Sequence, residues 1–142
     1  MGLLDTPINF NPDLKAVLLD KNLSKFGDAI VNFIYNAAIY EETEQSKGVK
    51  VWDSCLAQAC KDSHLRNFLG TRKNAGDIGD AVEAFIAYVY LRNKSSINDM
   101  IQILFRNINQ NRQLLAKQEK ELCTESFTEL INFFCAKMGI SP

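Results

Sequence analysis

The chain has 142 residues, of which 46% are hydrophobic and 23% charged, and its net charge is −1. This length and composition suit one soluble globular domain with its own core. The near-zero charge counts against a protein that grips nucleic acid through a strongly basic surface. No apolar run is long enough to span a membrane, and the first ten residues lack the features of a secretion signal. We therefore expect a cytoplasmic protein.

The first half of the chain is predicted to be entirely helical. Asn11-Pro12 has the pattern of a helix cap followed by proline at the first helical position, opening a short helix that runs to about Leu19. Ser46-Lys47-Gly48 has turn chemistry and ends the next helix. Further predicted helices cover residues 23–44, 51–62, 64–69 and 75–91.

The second half continues in the same way, without strand-type alternation. Ser96 is predicted to cap a sixth helix through about Ile108. The following residues are polar, and an amphipathic pattern returns up to Met138. Ser126 and Glu129 are spaced as a capping box that would open this last helix. The sequence therefore predicts an all-α protein with a single domain over residues 1–142.

The cysteines predict no metal site. They are Cys55, Cys60, Cys123 and Cys135, with no CxxC pair, and the chain has one histidine. A structural zinc site would need a denser set of such ligands. Buried, reduced thiols are the better interpretation.

The predicted second helix contains an unusual carboxylate. The stretch 26–40 is apolar on nearly every face, and Asp28 is its only charged residue. A lone carboxylate in a buried helix is costly unless it is paired or binds a metal. Gly27 lowers the helix propensity by about 1 kcal/mol. A glycine at that position indicates close approach by another backbone.

A second acidic element lies in the predicted fifth helix. Asp77, Asp80 and Glu83 are spaced three apart and share one helix face. We expect this face to point away from the apolar stripe of the same helix, which contains Ile78, Val82 and Phe85. If this helix crosses the second near Asp28, the carboxylates would converge. Oxygen ligands suit Mg²⁺ or Mn²⁺, which could activate a water and neutralise a phosphodiester.

A purely structural explanation remains open for both elements. The acids of the fifth helix could form a solvated face near its N-terminus, where the helix dipole favours negative charge. Asp28 could be paired with Arg72 or Lys73.

Two short strings resemble the ribonuclease III family. Residues 22–29, Asn-Leu-Ser-Lys-Phe-Gly-Asp-Ala, are similar to the signature helix, whose pattern is N-E-R-L-E-F-L-G-D-A. Residues 79–86, Gly-Asp-Ala-Val-Glu-Ala-Phe-Ile, resemble the downstream A-D-x-x-E-A-L-I block. The resemblance covers about residues 12–108 and implies a helical endonuclease domain, with residues 109–142 as a helical extension.

The resemblance implies a metal-dependent endoribonuclease. It would hydrolyse double-stranded or structured RNA, use Mg²⁺ or Mn²⁺, work as a homodimer and leave 5′-phosphate and 3′-hydroxyl ends. Asp28, Asp80 and Glu83 match the family's catalytic carboxylates. Asp28 and Glu83 would be direct metal ligands, and Asp80 would orient the site.

The chain also departs from the family pattern. The two signature glutamates fall on Lys21 and Ser24, and the second is normally a metal ligand. We hypothesise that Asp77 supplies the missing charge. We expect no double-stranded-RNA-binding domain after residue 108, because the remaining stretch is short and has helical patterning. RNA binding would then depend on the nuclease domain itself. Its candidate phosphate contacts are Arg66, Arg72, Lys73, Arg92 and Lys94.

Two alternatives compete with the enzyme. One is a catalytically impaired ribonuclease III-like dimer that binds RNA or a ribonucleoprotein, favoured by Lys21 and Ser24. The other is a helical interaction module with no nucleic-acid role, which suits the net charge but leaves Asp28 unexplained.

Overall fold

The computed structural model describes residues 13–72 and 74–140, and this part of the chain is all-α, as predicted. Its six α-helices are α1 (Leu14–Leu19), α2 (Lys21–Thr43), α3 (Asp53–Asp62), α4 (Ala75–Leu91), α5 (Ile97–Gln110) and α6 (Glu119–Lys137). Two short 3-10 helices, His64–Phe68 and Arg112–Leu114, join them. No strand occurs in the described ranges. None of their helices is long and apolar enough to span a membrane.

Local cap residues set several of the helix ends that the sequence predicted. Helix α4 has the predicted bounds, with the Asn74 side chain accepting a hydrogen bond from the Asp77 N–H. Ser96 Oγ caps α5 by accepting from the Asp99 N–H at 3.0 Å. The predicted Asn11-Pro12 cap lies outside the described residues. The described part of α1 begins after Asp13, whose carboxylate accepts from the Ala16 N–H.

The prediction for the start of the last helix was wrong. Helix α6 begins at Glu119, seven residues before the predicted capping box. Ser126 is fully buried, and its hydroxyl bonds to the Leu122 carbonyl at 2.8 Å and to Asn107 Oδ1 at 2.9 Å. A serine inside a helix can donate its hydroxyl to a carbonyl of the preceding turn in this way. The Ser126–Glu129 spacing is therefore not specific to a helix cap.

Helix α4 is the central element. Its most extensive contacts are with α2 and α3, and it also packs against α1. Helix α6 covers α3 and α5. Aromatic pairs bind the layers together: Phe85 of α4 lies 6.3 Å from Phe134, and Tyr35 of α2 lies 6.2 Å from Phe127, both measured between ring centroids. Helix α6 is therefore part of the same core.

Helix α2 was expected to be largely buried, and one of its sides is instead exposed. Phe26, Phe33 and Tyr40 are 42%, 60% and 53% exposed. They are spaced seven residues apart and so form one stripe along the helix. The four cysteines are buried and free of disulfides, as predicted.

Candidate active site

The site is built where α2 crosses α4. Gly27 is buried, and a methyl group on it would overlap the main-chain carbonyl of Glu83. Only a residue without a side chain lets the two helices approach this closely. The predicted close approach at Gly27 is confirmed. It brings the side chains beside the contact, Asp28 and Glu83, against each other.

An open cleft of about 310 Å³ lies at this crossing. Four carboxyl groups and two lysines contribute to its wall, from α2, α3, α4 and the segment before α3. The lining residues are Ser24, Lys25, Asp28, Lys50, Asp53, Asp80 and Glu83. The structure thus brings Asp28, Asp80 and Glu83 together and adds Asp53, which the sequence had not indicated. Asp77 is not among the lining residues.

Glu83 is the buried carboxyl group of the cleft, with 5% of its surface exposed. Burial, followed by the hydrogen bond with Asp28, raises the pKa of Glu83 to about 8. The sequence had not indicated that Glu83 would be buried. Other helices enclose α4 so fully that residues 81–89 are all buried.

Asp28 was expected to be a buried carboxylate, and this too was wrong, because its side chain is 45% exposed at the mouth of the cleft. The hydrogen bond with Glu83 holds the pKa of Asp28 below its usual range, and the nearby Lys50 ammonium adds to this effect. Lys50 Nζ lies 3.2 Å from Asp28 Oδ1, and Asp28 in turn raises the pKa of Lys50. The cation beside Asp28 is therefore Lys50 and not Arg72; Lys73 lies outside the described residues.

Asp80 and Asp77 occupy different surroundings. Asp80 Oδ2 lies 3.2 Å from Lys21 Nζ, in an ion pair exposed to solvent. Asp77 sits in the first turn of α4, where its N–H donates to Asn74 Oδ1 at 2.8 Å and Asn74 Nδ2 donates back to its carboxylate at 3.0 Å. Asp77 thus takes part in the cap of α4.

The cations predicted to contact phosphate are placed elsewhere. Arg66 donates to the Ser63 carbonyl. Arg72 donates to the carbonyls of Phe68 and Leu69. Both guanidinium groups are therefore hydrogen-bonded to the main chain. The Arg92 guanidinium stands 5.7 Å from the centre of the Tyr88 ring. Lys94 is half-buried. Of the four that the structure describes, none lines the cleft, and Lys73 falls outside the described ranges.

Sequence reasoning missed Lys50 and Asp53. Lys50 precedes α3, and no local pattern marks it. Asp53 carried one weak signal, an acidic residue in the first turn of a predicted helix, which usually only complements the helix dipole. Their place in the cleft depends on how α3 packs against α4.

The donor chemistry of the cleft fits a divalent cation of the Mg²⁺ type. The carboxyl groups of Asp28 and Glu83 share a hydrogen bond, and a proton or a cation must compensate their charge. The Lys50 ammonium already pairs with Asp28. Hydrated Mg²⁺ needs only one or two carboxylates. In the part of the chain that the structure describes, no three such side chains are grouped closely enough to enclose an ion. The fit therefore depends on the Asp28–Glu83 pair and bound water.

Comparison with known families decides the wider relationship. The family model described as Ribonuclease III matches residues 21–140. This chain belongs to the ribonuclease III family. The ribonuclease III match begins with α2 and extends through α6, so it includes both acidic helices and the stretch after residue 108. No curated protein matches the chain.

Proposed function

We propose that this member of the ribonuclease III family is a metal-dependent endoribonuclease that hydrolyses double-stranded or structured RNA. The observation that carries the proposal is the contact between Asp28 and Glu83. The fold forces a nearly buried carboxyl group against a second one at the wall of an open cleft. Such an arrangement destabilises a protein unless a proton or a cation compensates the two charges.

Asp28 and Glu83 would hold Mg²⁺ or Mn²⁺, with Asp80 at the edge of the cleft. The bound ion would lower the pKa of a water molecule and neutralise charge on the phosphate. The water oxygen attacks phosphorus while the bond from phosphorus to the 3′ oxygen breaks. This leaves a 5′-phosphate on one product and a 3′-hydroxyl on the other. Lys25 and Lys50, both in the cleft wall, would contact the non-bridging phosphate oxygens.

We further propose a homodimer formed through the exposed stripe of α2. Phe26, Phe33 and Tyr40 present large apolar side chains at a seven-residue spacing, which suits packing against the same helix of a second copy. A second copy would set two clefts along one duplex. Sedimentation analysis of Phe33→Glu tests this: the variant should be monomeric at concentrations where the natural chain is dimeric, and an unchanged sedimentation coefficient contradicts it.

The activity is tested by incubating purified protein with an end-labelled RNA duplex in Mg²⁺, Mn²⁺ or EDTA. The double variant Asp28→Asn/Glu83→Gln keeps the shape of both side chains and removes their charge. We expect cutting with metal, none in EDTA, and a loss of at least 100-fold in the variant. Labelled products should carry 5′-phosphate and 3′-hydroxyl ends. Equal cutting by the variant would place the reaction elsewhere.

One observation favours a second candidate function, a catalytically impaired relative that binds RNA or a ribonucleoprotein. Two lysines form ion pairs with the exposed carboxylates of the cleft: Lys21 pairs with Asp80, and Lys50 pairs with Asp28. If these ion pairs persist, they replace the metal. Duplex binding without cleavage in either metal would support this function.

A further inference from the structure

Two asparagines of α2, Asn32 and Asn36, hold the segment that precedes α3 against that helix. Asn32 Oδ1 accepts a hydrogen bond from the Val51 N–H at 2.6 Å. Asn36 bonds twice to Val49: its Oδ1 accepts from the N–H at 2.9 Å, and its Nδ2 donates to the carbonyl at 2.7 Å. Residues 45–52 form neither helix nor strand, so these main-chain groups need partners from outside regular structure. The two side chains of α2 supply them.

The spacing of the two asparagines matches that of an extended segment. Four residues of an α-helix rise about 6 Å, and two residues of extended chain span about 6.6 Å. Asn32 and Asn36 are four residues apart, and they bond to Val51 and Val49, which are two apart. The residue between these two valines is Lys50. Its main chain is therefore held at a fixed level along α2, and its Nζ lies 3.2 Å from Asp28 Oδ1.

Asn32 also contacts Asp28 directly. Its Nδ2 donates to the Asp28 carbonyl at 2.7 Å and to Asp28 Oδ1 at 3.2 Å. The reverse orientation of the amide would bring its oxygen against these acceptors and its nitrogen against the Val51 N–H, so the surroundings fix which end faces the acid. The Asn36 amide donates to the Asn32 carbonyl instead, at 2.7 Å. Neither asparagine is among the residues that line the cleft, so Asn32 acts through its neighbours.

We propose that Asn32 is a positioning residue of the site. Its nitrogen fixes the orientation of the Asp28 carboxylate, and its oxygen holds the segment that places Lys50 beside that carboxylate. The Asp28 side chain is 45% exposed, and a donor one turn along the helix restricts the rotamers open to it. The inference deepens the proposed nuclease function and rests on it, because both residues act in the proposed cleavage.

The test compares three variants of the full chain in cleavage of the labelled RNA duplex with Mg²⁺ or Mn²⁺. Asn32→Ala removes both contacts, and Asn32→Asp keeps an acceptor for the Val51 N–H but loses the donor to Asp28. The matched control is Asn36→Ala, which removes the same kind of side chain one turn away. We expect kcat to fall by roughly 10- to 100-fold in both Asn32 variants, with little change in KM. In Asn36→Ala, kcat should change by less than about threefold.

Two measurements without catalysis accompany the kinetics. Hydrogen exchange of the Val51 amide should become about tenfold faster in Asn32→Ala and stay slow in Asn32→Asp. Duplex binding in EDTA should stay within about twofold of the natural chain in all three variants, since phosphate contacts come from lysines. Far-ultraviolet circular dichroism and urea unfolding show whether each variant is folded and how much stability it has lost.

Full kcat in Asn32→Asp would overturn the inference, because the donor to Asp28 would then have no role. Equal losses of kcat in Asn32→Ala and Asn36→Ala would also overturn it, since they would indicate only a loosened segment. In both cases cleavage by the natural chain would leave the proposed function standing. If the natural chain cuts no duplex with either metal, the proposed function fails and the inference fails with it.

Discussion

Two glutamates whose side chains are enclosed, Glu42 and Glu83, lie near opposite ends of α2 and have opposite kinds of partner. The Glu42 side chain is 5% exposed. It accepts a hydrogen bond from Asn109 Nδ2 at 2.8 Å and lies 3.5 Å from Arg112 Nε. Glu83 is a buried residue, but its partner is the carboxyl group of Asp28. Glu42 is therefore partnered by hydrogen-bond donors, whereas Glu83 is partnered by a second carboxyl group.

Glu119 is a third glutamate, and like Glu42 it is partnered by hydrogen-bond donors. Glu119 accepts from the Tyr35 hydroxyl at 2.8 Å and from Lys47 Nζ at 3.2 Å. Carboxylates with such partners need no further explanation, because donors beside them compensate their charge. At the cleft the compensation is incomplete without an added proton or cation. This difference is the main physical reason to interpret the cleft as a functional site.

The largest expected effect comes from separating the helices that create the acid pair. Gly27→Ala would drive a methyl group into the Glu83 carbonyl, and we expect it to lower the free energy of unfolding by about 3 kcal/mol. Urea unfolding followed by circular dichroism measures this. Gly76→Ala, in an exposed turn of α4, is the control and should raise stability slightly, because alanine favours helix. Equal effects of the two changes would show that the crossing is not tight.

The next effect is the response of the metal-free protein to pH. The pKa of Glu83 is raised from 4.5 to about 8 in the folded state. Between these values the folded chain holds a proton that the unfolded chain has lost, so stability falls as pH rises. We expect this decrease in EDTA, with a slope of at most about 1.4 kcal/mol per pH unit. Glu83→Gln should flatten the curve. A variant that keeps the slope of the natural chain would contradict the interpretation of Glu83.

A smaller effect on stability is expected at Glu119, whose carboxylate is partnered by hydrogen-bond donors. Tyr35→Phe removes the hydroxyl that donates to Glu119 and leaves the buried ring in place. The free energy of unfolding should drop by about 1 kcal/mol, since the carboxylate loses one of its hydrogen bonds. A gain in stability would mean that Glu119 is no better compensated than Glu83.

Much of the framework could be predicted from local sequence. The bounds of α4 and the caps at Asn74 and Ser96 follow from short-range hydrogen bonds, which residue type and spacing encode. The close approach at Gly27 was predictable because glycine is costly inside a helix unless its small size is used. The family could also be predicted, since two acidic strings lie on helices of the right order.

The rest depends on tertiary packing that local patterns do not contain. Ser126 imitates a helix cap because its hydroxyl bonds within the chain, and only its burial against α5 shows otherwise. The depth of Glu83 and the exposure of Asp28 depend on which helices enclose α4. Asp53 enters the cleft through the packing of α3 on α4, which no spacing within α3 could indicate.

The most direct test of the account is the effect of Mg²⁺ on stability at pH 8, measured by urea unfolding of the natural chain and of Glu83→Gln. A ligand that binds only the folded state stabilises it, by about 1.4 kcal/mol when its concentration is ten times the dissociation constant. We predict that Mg²⁺ stabilises the natural chain and leaves Glu83→Gln unchanged, while the variant is the more stable of the two in EDTA. Equal stabilisation of both proteins by Mg²⁺, or a variant that is less stable in EDTA, would contradict the account.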